Sequence, residues 1–313
     1  MEFRTPITIT PHKIITHEKR FLLMGSCFAE HIGQKLRGYH FKGDINPFGI
    51  LYNPSSIANA LNRLLIQKPF TTDELFEHHG LYHSWMHHGN FSAETAEQTL
   101  ENINQRWEQA SKNLSQTDIL IITFGSSWIY EFKGQTVGNC HKVPEKQFNR
   151  RRLTVTEIVA QYTELLDHLI DQKPDLQIIL SVSPVRYLGH SGNENQTNKA
   201  ILLLAAEALC AHYKQTIYFP AYEILVDELR DYRFFADDMI HPSATAIDYV
   251  WECFSKNYFA SETRHLLPEI DKLKRALEHR PIHEESAEYQ EFKKRTEAQI
   301  AQFKKQFPHI DLA

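Results

Sequence analysis

The chain has 313 residues, of which 42% are hydrophobic and 23% are charged, and its formal net charge is −5. A globular chain of this size buries about three quarters of its unfolded surface, so it needs neither disulfides nor a structural metal. The small negative charge gives no indication of binding to nucleic acid or to an anionic membrane, and the apolar runs are too short to cross a bilayer. We therefore expect no nucleic-acid or membrane partner.

The cysteines and the first residues indicate the cellular compartment. Four cysteines are scattered along the chain without any Cys-x-x-Cys spacing, which favours reduced thiols. Polar and charged residues occur throughout the first 19 positions, which lack the apolar core of a signal peptide. These features predict a cytoplasmic protein. We also expect neither a cofactor nor a bound metal.

Short apolar runs alternate with amphipathic stretches over the first 260 residues. Strands are predicted at 21–24, 118–124, 176–182 and 216–219, with 81–85 as an edge strand or one arm of a hairpin. Helices are predicted at 27–37, 54–65, 93–114, 154–169, 196–213 and 244–258. This alternation predicts an α/β fold with a parallel sheet covered by helices on both sides.

The composition changes after about residue 261. Residues 263–278 and 284–306 are rich in charged side chains with sparse apolar anchors, and they are joined near Arg280 and Pro281. We predict two surface helices that pack on the main domain or on a partner subunit of a homo-oligomer. The expected domains are therefore residues 1–260 and a helical extension at 261–313.

Two segments that follow predicted strands carry the residues for acyl-transfer chemistry. Ser26 follows Gly25 at the end of the first strand, and Asp238 precedes His241 by three residues near the start of a late helix. In a parallel sheet such strand ends share one edge, where ligands bind. Ser26 is either a helix N-cap or a nucleophile that needs a base such as His241. Either Asp238 or Asp237 is positioned to orient that histidine.

The segment Gly25–Ala29 reads Gly-Ser-Cys-Phe-Ala, and this motif resembles the signature of the GSCFA family. Further segments that are similar to this family lie at 46–54, 123–130, 139–142, 183–187 and 195–199. The family resembles the SGNH hydrolases, and the resemblance implies a flavodoxin-like three-layer α/β/α fold with additional C-terminal helices. It also implies Ser26, Asp238 and His241 as catalytic residues, with the family spacing favouring Asp238 over Asp237.

The resemblance also implies an oxyanion hole, although one of its usual members is missing. The amides of Ser26 and Gly49 are the expected backbone donors. Ser127 stands where the wider hydrolase group has an asparagine, and its hydroxyl is the expected third donor. The implied function is a serine esterase, acyl hydrolase or acyltransferase. Because an oxyanion donor contributes about 100- to 1000-fold in rate, weak activity is an open alternative.

Polar residues after two predicted strands form the expected substrate site. They are Asn139, His141, Arg186, Asn195 and Lys199. Such a set suits a small-molecule or carbohydrate ester with hydroxyl or anionic groups, with Arg186 as the anion contact. Asn139 or Asn195 is also a candidate to replace the missing oxyanion asparagine. The alternative function is a non-catalytic protein that binds a sugar or an anionic metabolite on a hydrolase fold.

Two further features admit a chemical interpretation. The segment 77–88 contains five histidines, but their spacing does not match a recognised metal site, so His87 or His88 is more plausible at the substrate than at a metal. Cys27 adjoins Ser26, and a small buried side chain is the favoured interpretation over a nucleophilic thiolate.

Overall fold

The computed structural model describes residues 5–187 and 189–312. The strands are β1 (Phe21–Gly25), β2 (Gly43–Ile45), β3 (Leu75–His78), β4 (Leu81–Ser84), β5 (Ile119–Phe124), β6 (Trp128–Phe132), β7 (Gln135–Val137), β8 (Asn149–Arg152), β9 (Gln177–Val182) and β10 (Thr216–Phe219). The helices are α1 (Cys27–Gly38), α2 (Pro54–Leu65), α3 (Ala96–Ser115), α4 (Val155–Gln172), α5 (Gly192–His212), α6 (Ala221–Glu223, continued by a π-helical segment), α7 (Ala244–Tyr258), α8 (Ser261–Glu278) and α9 (Ala287–Gln306).

The main sheet contains five parallel strands in the order β10-β9-β5-β1-β2. Counted along the chain, this is the 2-1-3-4-5 order of flavodoxin-like folds. Successive side chains of β1 enter opposite layers, because Leu22 and Met24 join one core cluster whereas Phe21 and Leu23 join the other. Helices α2 to α5 cover the first face, and α1 and α7 cover the second. The predicted three-layer α/β/α fold is confirmed.

Two smaller antiparallel sheets accompany the main one. Strands β3 and β4 form a hairpin, which confirms that residues 81–85 contribute one arm of a hairpin. Strands β7, β6 and β8 form a second sheet, inserted between β5 and α4. Neither this second sheet nor the three-residue strand β2 is predicted from the sequence.

The two C-terminal helices pack on each other and on the main body. Ile270 and Leu273 of α8 share a buried cluster with Phe303 of α9. Tyr39, next to α1, packs against both this cluster and the core beneath α1, and its hydroxyl donates to Asp271 over 2.9 Å. Within residues 5–187 and 189–312, none of the helices combines the length and the hydropathy that a membrane span requires.

Candidate active site

Ser26 lies at the junction of β1 and α1, in the N-cap position with extended backbone angles (φ −72°, ψ 177°). An N-cap serine ordinarily accepts a hydrogen bond from an amide in the first turn of its helix. The Ser26 side chain makes no such bond, and its buried Oγ has no hydrogen-bond partner among the described residues. The hydroxyl is therefore not used as a cap, which argues against a purely structural role.

Two glycines hold the ends of β1 and β5 close around Ser26. Gly25 has φ +149°, and a Cβ at this position would lie 2.4 Å from the carbonyl oxygen of Thr123 on β5. A Cβ on Gly125 would lie 2.9 Å from the Tyr52 carbonyl oxygen and 3.4 Å from the Ser26 Cβ. Larger residues would therefore push the two strand ends apart at the serine.

His241 and Asp238 form a hydrogen-bonded pair in the turn before α7. His241 Nδ1 lies 2.6 Å from Asp238 Oδ2, while Asp238 Oδ1 accepts from the backbone amides of Ile240 and His241 at 2.9 and 3.0 Å. The pKa of Asp238 is lowered to about 2 by these hydrogen bonds, most by the His241 amide, then by the Ile240 amide and then by the imidazole. Because the carboxylate accepts from Nδ1, that nitrogen carries the proton, and Nε2 is left as an acceptor.

Ser26 and His241 line one cavity of about 530 Å³. The two segments, more than 200 positions apart in sequence, thus open onto a common space. Ser26 Oγ and the imidazole are not hydrogen-bonded in this structure, since Oγ has no partner among the described residues. Catalytic hydrogen bonds of ligand-free enzymes are often long and shorten when substrate binds. The cavity is also lined by Trp128, Tyr130, Arg150, Arg186, Tyr187 and His190.

Two of the predicted oxyanion donors are already hydrogen-bonded elsewhere. The Gly49 amide donates to the Asn46 carbonyl over 2.8 Å in a tight turn, and Gly49 does not line the cavity. The Ser127 hydroxyl is buried and donates to Asn198 Oδ1 over 2.8 Å. For these two residues the prediction needs correction, because neither donor is directed at the cavity. The amide of Ser26 is the one predicted donor whose residue lines it.

Asn198 on α5 is a polar residue of the cavity that the sequence analysis missed. Its Oδ1 accepts from the Ser127 amide at 2.6 Å, from the Ser127 hydroxyl, and from the Ser126 hydroxyl at 3.3 Å. A backbone N–H can only donate, so this contact fixes which end of the side-chain amide is oxygen. The Nδ2 group of Asn198 has no partner among the described residues, and Asn198 lines the cavity.

Two family models match this sequence. The model of the GSCFA family matches residues 20–254, and that of the C-terminal domain of GSCFA domain proteins matches residues 270–313. The chain belongs to the GSCFA family. The resemblance carried by Gly25–Ala29 and the further motifs is thereby confirmed.

Solved structures that resemble this GSCFA chain share 9 to 10% identity with it. An acetyl esterase mutant with acetate ion has a TM-score of 0.37 and 10% identity, with 82% of this chain and 99% of that chain covered. A carbohydrate esterase family 3 protein from Talaromyces cellulolyticus has a TM-score of 0.34 and 9% identity (81% and 99% covered). A family 3 carbohydrate esterase from Clostridium thermocellum has a TM-score of 0.36 and 9% identity (82% and 98% covered). No curated protein matches the chain.

The residues predicted to bind substrate in this GSCFA protein divide into two groups. Asn139 and Arg186 line the cavity. Asn195 does not, because its side chain is fully engaged with its own loop: Oδ1 accepts from the Tyr187 amide and Nδ2 donates to the Tyr187 carbonyl at 3.0 and 2.9 Å. His141 is buried behind the cavity wall, where its Nε2 lies 2.8 Å from the Ser84 carbonyl oxygen. Its burial lowers the pKa of the imidazole to about 4.

Lys199 joins two strand ends and does not line the cavity. Its Nζ donates to the carbonyl oxygens of Gly125 after β5 and Ser183 after β9, at 2.8 and 2.7 Å. The side chain is almost completely buried. Burial, together with nearby Arg186, lowers the pKa of the ammonium group to about 7. For Asn195, His141 and Lys199 a structural role therefore replaces the predicted substrate contact.

Of the remaining candidates, His87 and His88 do not line the cavity, whereas Cys27 does. His87 is stacked on Phe48 and bonded to the Ser84 hydroxyl, so it belongs to the core. No group of three or more potential metal ligands occurs in the part of the chain that the structure describes. Cys27 borders the cavity, but burial raises the pKa of its thiol, which disfavours the reactive thiolate.

Proposed function

We propose that this GSCFA protein is a serine acyl hydrolase that cleaves, or transfers, the acyl group of a small polar or carbohydrate ester. The single observation that carries the proposal is the arrangement around the cavity. A buried hydroxyl that caps nothing and an imidazole oriented by a carboxylate open onto the same space. These are the nucleophile, base and orienting acid of acyl transfer through a covalent serine ester.

In the proposed reaction His241 Nε2 takes the proton of Ser26 Oγ as the oxygen attacks the ester carbonyl. Asp238 stabilises the imidazolium that forms. The oxyanion receives hydrogen bonds from the amides at the start of α1, where the helix dipole also favours negative charge, and from Asn198 Nδ2. The imidazolium then protonates the departing alcohol. Water or an acceptor hydroxyl, deprotonated by His241, attacks the acyl-serine and regenerates the free enzyme.

Hydrolysis of short acyl esters, followed together with fluorophosphonate labelling, tests the proposal. We expect Ser26→Ala and His241→Ala to lower kcat by roughly a thousand-fold or more. Labelling should be lost in Ser26→Ala and retained in Cys27→Ala, which separates the hydroxyl from the adjacent thiol. Equal turnover in the wild type and in both Ser26→Ala and His241→Ala would exclude this mechanism.

A second candidate function is non-catalytic binding of a sugar or an anionic metabolite. The hydrogen bonds that occupy the Gly49 amide and the Ser127 hydroxyl favour it, because they remove two donors from the expected oxyanion hole. A protein that binds such ligands but neither hydrolyses esters nor reacts with fluorophosphonate would support this candidate. The cytoplasmic location, the domain boundary at residue 260 and a homo-oligomeric state remain predictions.

A further inference from the structure

One face of the small antiparallel sheet supplies a wall of the cavity. In its register Trp128 is opposite Arg152 and Tyr130 is opposite Arg150. Side chains alternate between the two faces of a strand, so these four residues share one face. The Arg150 guanidinium lies 4.1 Å from the centre of the Trp128 ring, and that of Arg152 lies 5.2 Å from it.

The arginines on the two faces of β8 differ in their partners. Arg151, which shares the opposite face with Ile129, bonds Glu131 and Glu157 at 3.1 and 2.7 Å. Arg150 and Arg152 have no carboxylate partner among the described residues, and neither has Arg186 on the adjoining loop. The described residues that line the cavity include Arg150 and Arg186 but no aspartate or glutamate. The described residues of the cavity wall therefore carry positive charge without an ion-paired carboxylate, and the balancing charge of Glu194 acts on Arg150 and His190 from outside the cavity.

Three buried side-chain nitrogens of this cluster, one of them on Arg150 itself, have no acceptor among the described residues. Arg150 donates to His190 Nε2, so the proton of this neutral imidazole is on Nδ1. His190 Nδ1, Trp128 Nε1 and Arg150 Nε are all buried and have no hydrogen-bond partner in residues 5–187 and 189–312. Buried donors are normally paired, and a group of three unpaired ones in a single cluster is unusual. These three donors need acceptors, and the oxygens of a bound anion would supply several.

We propose that the cavity wall formed by Arg150, Trp128, His190 and Arg186 is an anion subsite for a carboxylate or phosphate group on the alcohol part of the substrate. This inference rests on the proposed function, and it narrows the substrate to an anionic ester. The guanidinium fork matches the two oxygens of a carboxylate or phosphate. Trp128 and Tyr130 provide an aromatic surface against which the body of the alcohol packs.

Two esters that differ in charge test this subsite. They are 4-acetoxybenzoate and its neutral analogue 4-acetoxybenzamide, compared by kcat/KM at low ionic strength. We expect the ratio of anionic to neutral ester to fall roughly 10- to 100-fold in Arg150→Gln and in Arg186→Gln, the range for a lost charged hydrogen bond. Arg151→Gln removes the same charge from the same strand on the opposite face, so its ratio should match that of the wild type.

Binding to the unreactive Ser26→Ala protein separates this inference from the proposed function. We expect 4-acetoxybenzoate or inorganic phosphate to bind it in calorimetry, and to bind at least about ten-fold more weakly when Arg150→Gln is added. Anion binding without turnover in the wild type would retain the subsite and exclude the hydrolase. Turnover with a ratio unaffected by Arg150→Gln would retain the hydrolase and overturn the subsite. Absence of anion binding to Ser26→Ala would also overturn it, provided thermal unfolding shows a folded protein.

Discussion

At the scale of single residues, Ser127 stands where an asparagine is expected, and it is hydrogen-bonded to Asn198 of α5. The backbone and hydroxyl of Ser127 hold the Asn198 oxygen, so the nitrogen end faces away from them. Ser127 thus orients an asparagine that belongs to another element of the fold. Asn198 and Ser26 line the same cavity, which is why we propose the Asn198 side-chain nitrogen as an oxyanion donor.

We predict that Asn198→Ala lowers kcat about 100- to 1000-fold with little change in KM, because it removes a donor that acts mainly on the transition state. Asn198→Asp keeps the shape but presents an oxygen to the oxyanion, so it should be at least as defective. Ser127→Ala leaves the backbone donor that orients Asn198 and should cost far less. Steady-state hydrolysis of a short acyl ester measures all three. A kcat for Asn198→Ala equal to that of the wild type would contradict this role.

The buried ammonium of Lys199 predicts a pH dependence of stability. Its pKa is lowered from 10.5 to about 7, so between these values the unfolded chain binds a proton that the folded protein does not. The contribution of Lys199 to the free energy of unfolding therefore rises with pH between about 7 and 10.5, by at most about 1.4 kcal/mol per pH unit. Below this window the buried charge gives no such gain.

Urea unfolding between pH 6 and pH 9 measures this effect. The difference in unfolding free energy between the wild type and Lys199→Met should shift in favour of the wild type as pH rises. Lys214→Met, at an exposed position, provides the control and should show no such trend. A pH-independent difference for Lys199→Met would show that the ammonium stays charged in the folded protein.

Part of the candidate site is predictable from the sequence because short motifs indicate a candidate nucleophile and base, whereas the partners of individual polar residues depend on the fold. Ser26, Asp238 and His241 occur in short local patterns, and the structure brings their segments to one cavity. Asn195 and Asn198 lie one helical turn apart, so no local pattern distinguishes the one that closes a loop from the one that faces the cavity. Arg150 lies among three consecutive arginines, and only the strand register reveals which face it occupies.

At the scale of elements, burial decided which strands were predictable. Strands β5 and β9 are apolar on both faces and were predicted from the sequence. Strand β2 has three residues, and β8 consists of Asn149 and three arginines. Neither has the apolar alternation that indicates a strand. Pairing with a neighbouring strand places both in a sheet, since β2 pairs with β1 and β8 pairs with β6.

The junction of β1 and α1 predicts a strong effect of Gly25→Ala. The new Cβ would collide with the Thr123 carbonyl at 2.4 Å, and the residue would also keep a φ of +149°. We expect a loss of unfolding free energy well above the ~1–2 kcal/mol of a left-handed alanine alone, and a lower kcat because Ser26 moves. Gly80→Ala is the matched control, since Gly80 has φ +75° but open space around its Cα. Equal losses for the two variants in urea unfolding would contradict the steric explanation.

At the scale of the whole molecule, the C-terminal helices extend the layer that contains α1. Leu267 of α8 belongs to the core beneath α1, whereas Ile270 and Leu273 belong to the cluster shared with α9. The sequence predicted these helices and their sparse anchors but left open whether they pack on the main domain or on a partner. The contact between Tyr39 and Asp271 shows that they reach the main body within one chain.

The packing of α8 and α9 on the main body leads to a prediction for Phe303, which is 1% exposed within the C-terminal cluster. Phe303→Ala should lower the unfolding free energy by about 3–5 kcal/mol, the range for a buried phenylalanine, while Phe292→Ala at a partly exposed position should cost much less. Neither residue lines the cavity, so the folded Phe303→Ala protein should keep the kcat of the wild type.

The shape of the unfolding curve of Phe303→Ala tests the domain boundary predicted at residue 260. One cooperative transition would show that the helices unfold with the sheet, whereas a separate early transition that leaves activity intact would show that the extension is a domain of its own.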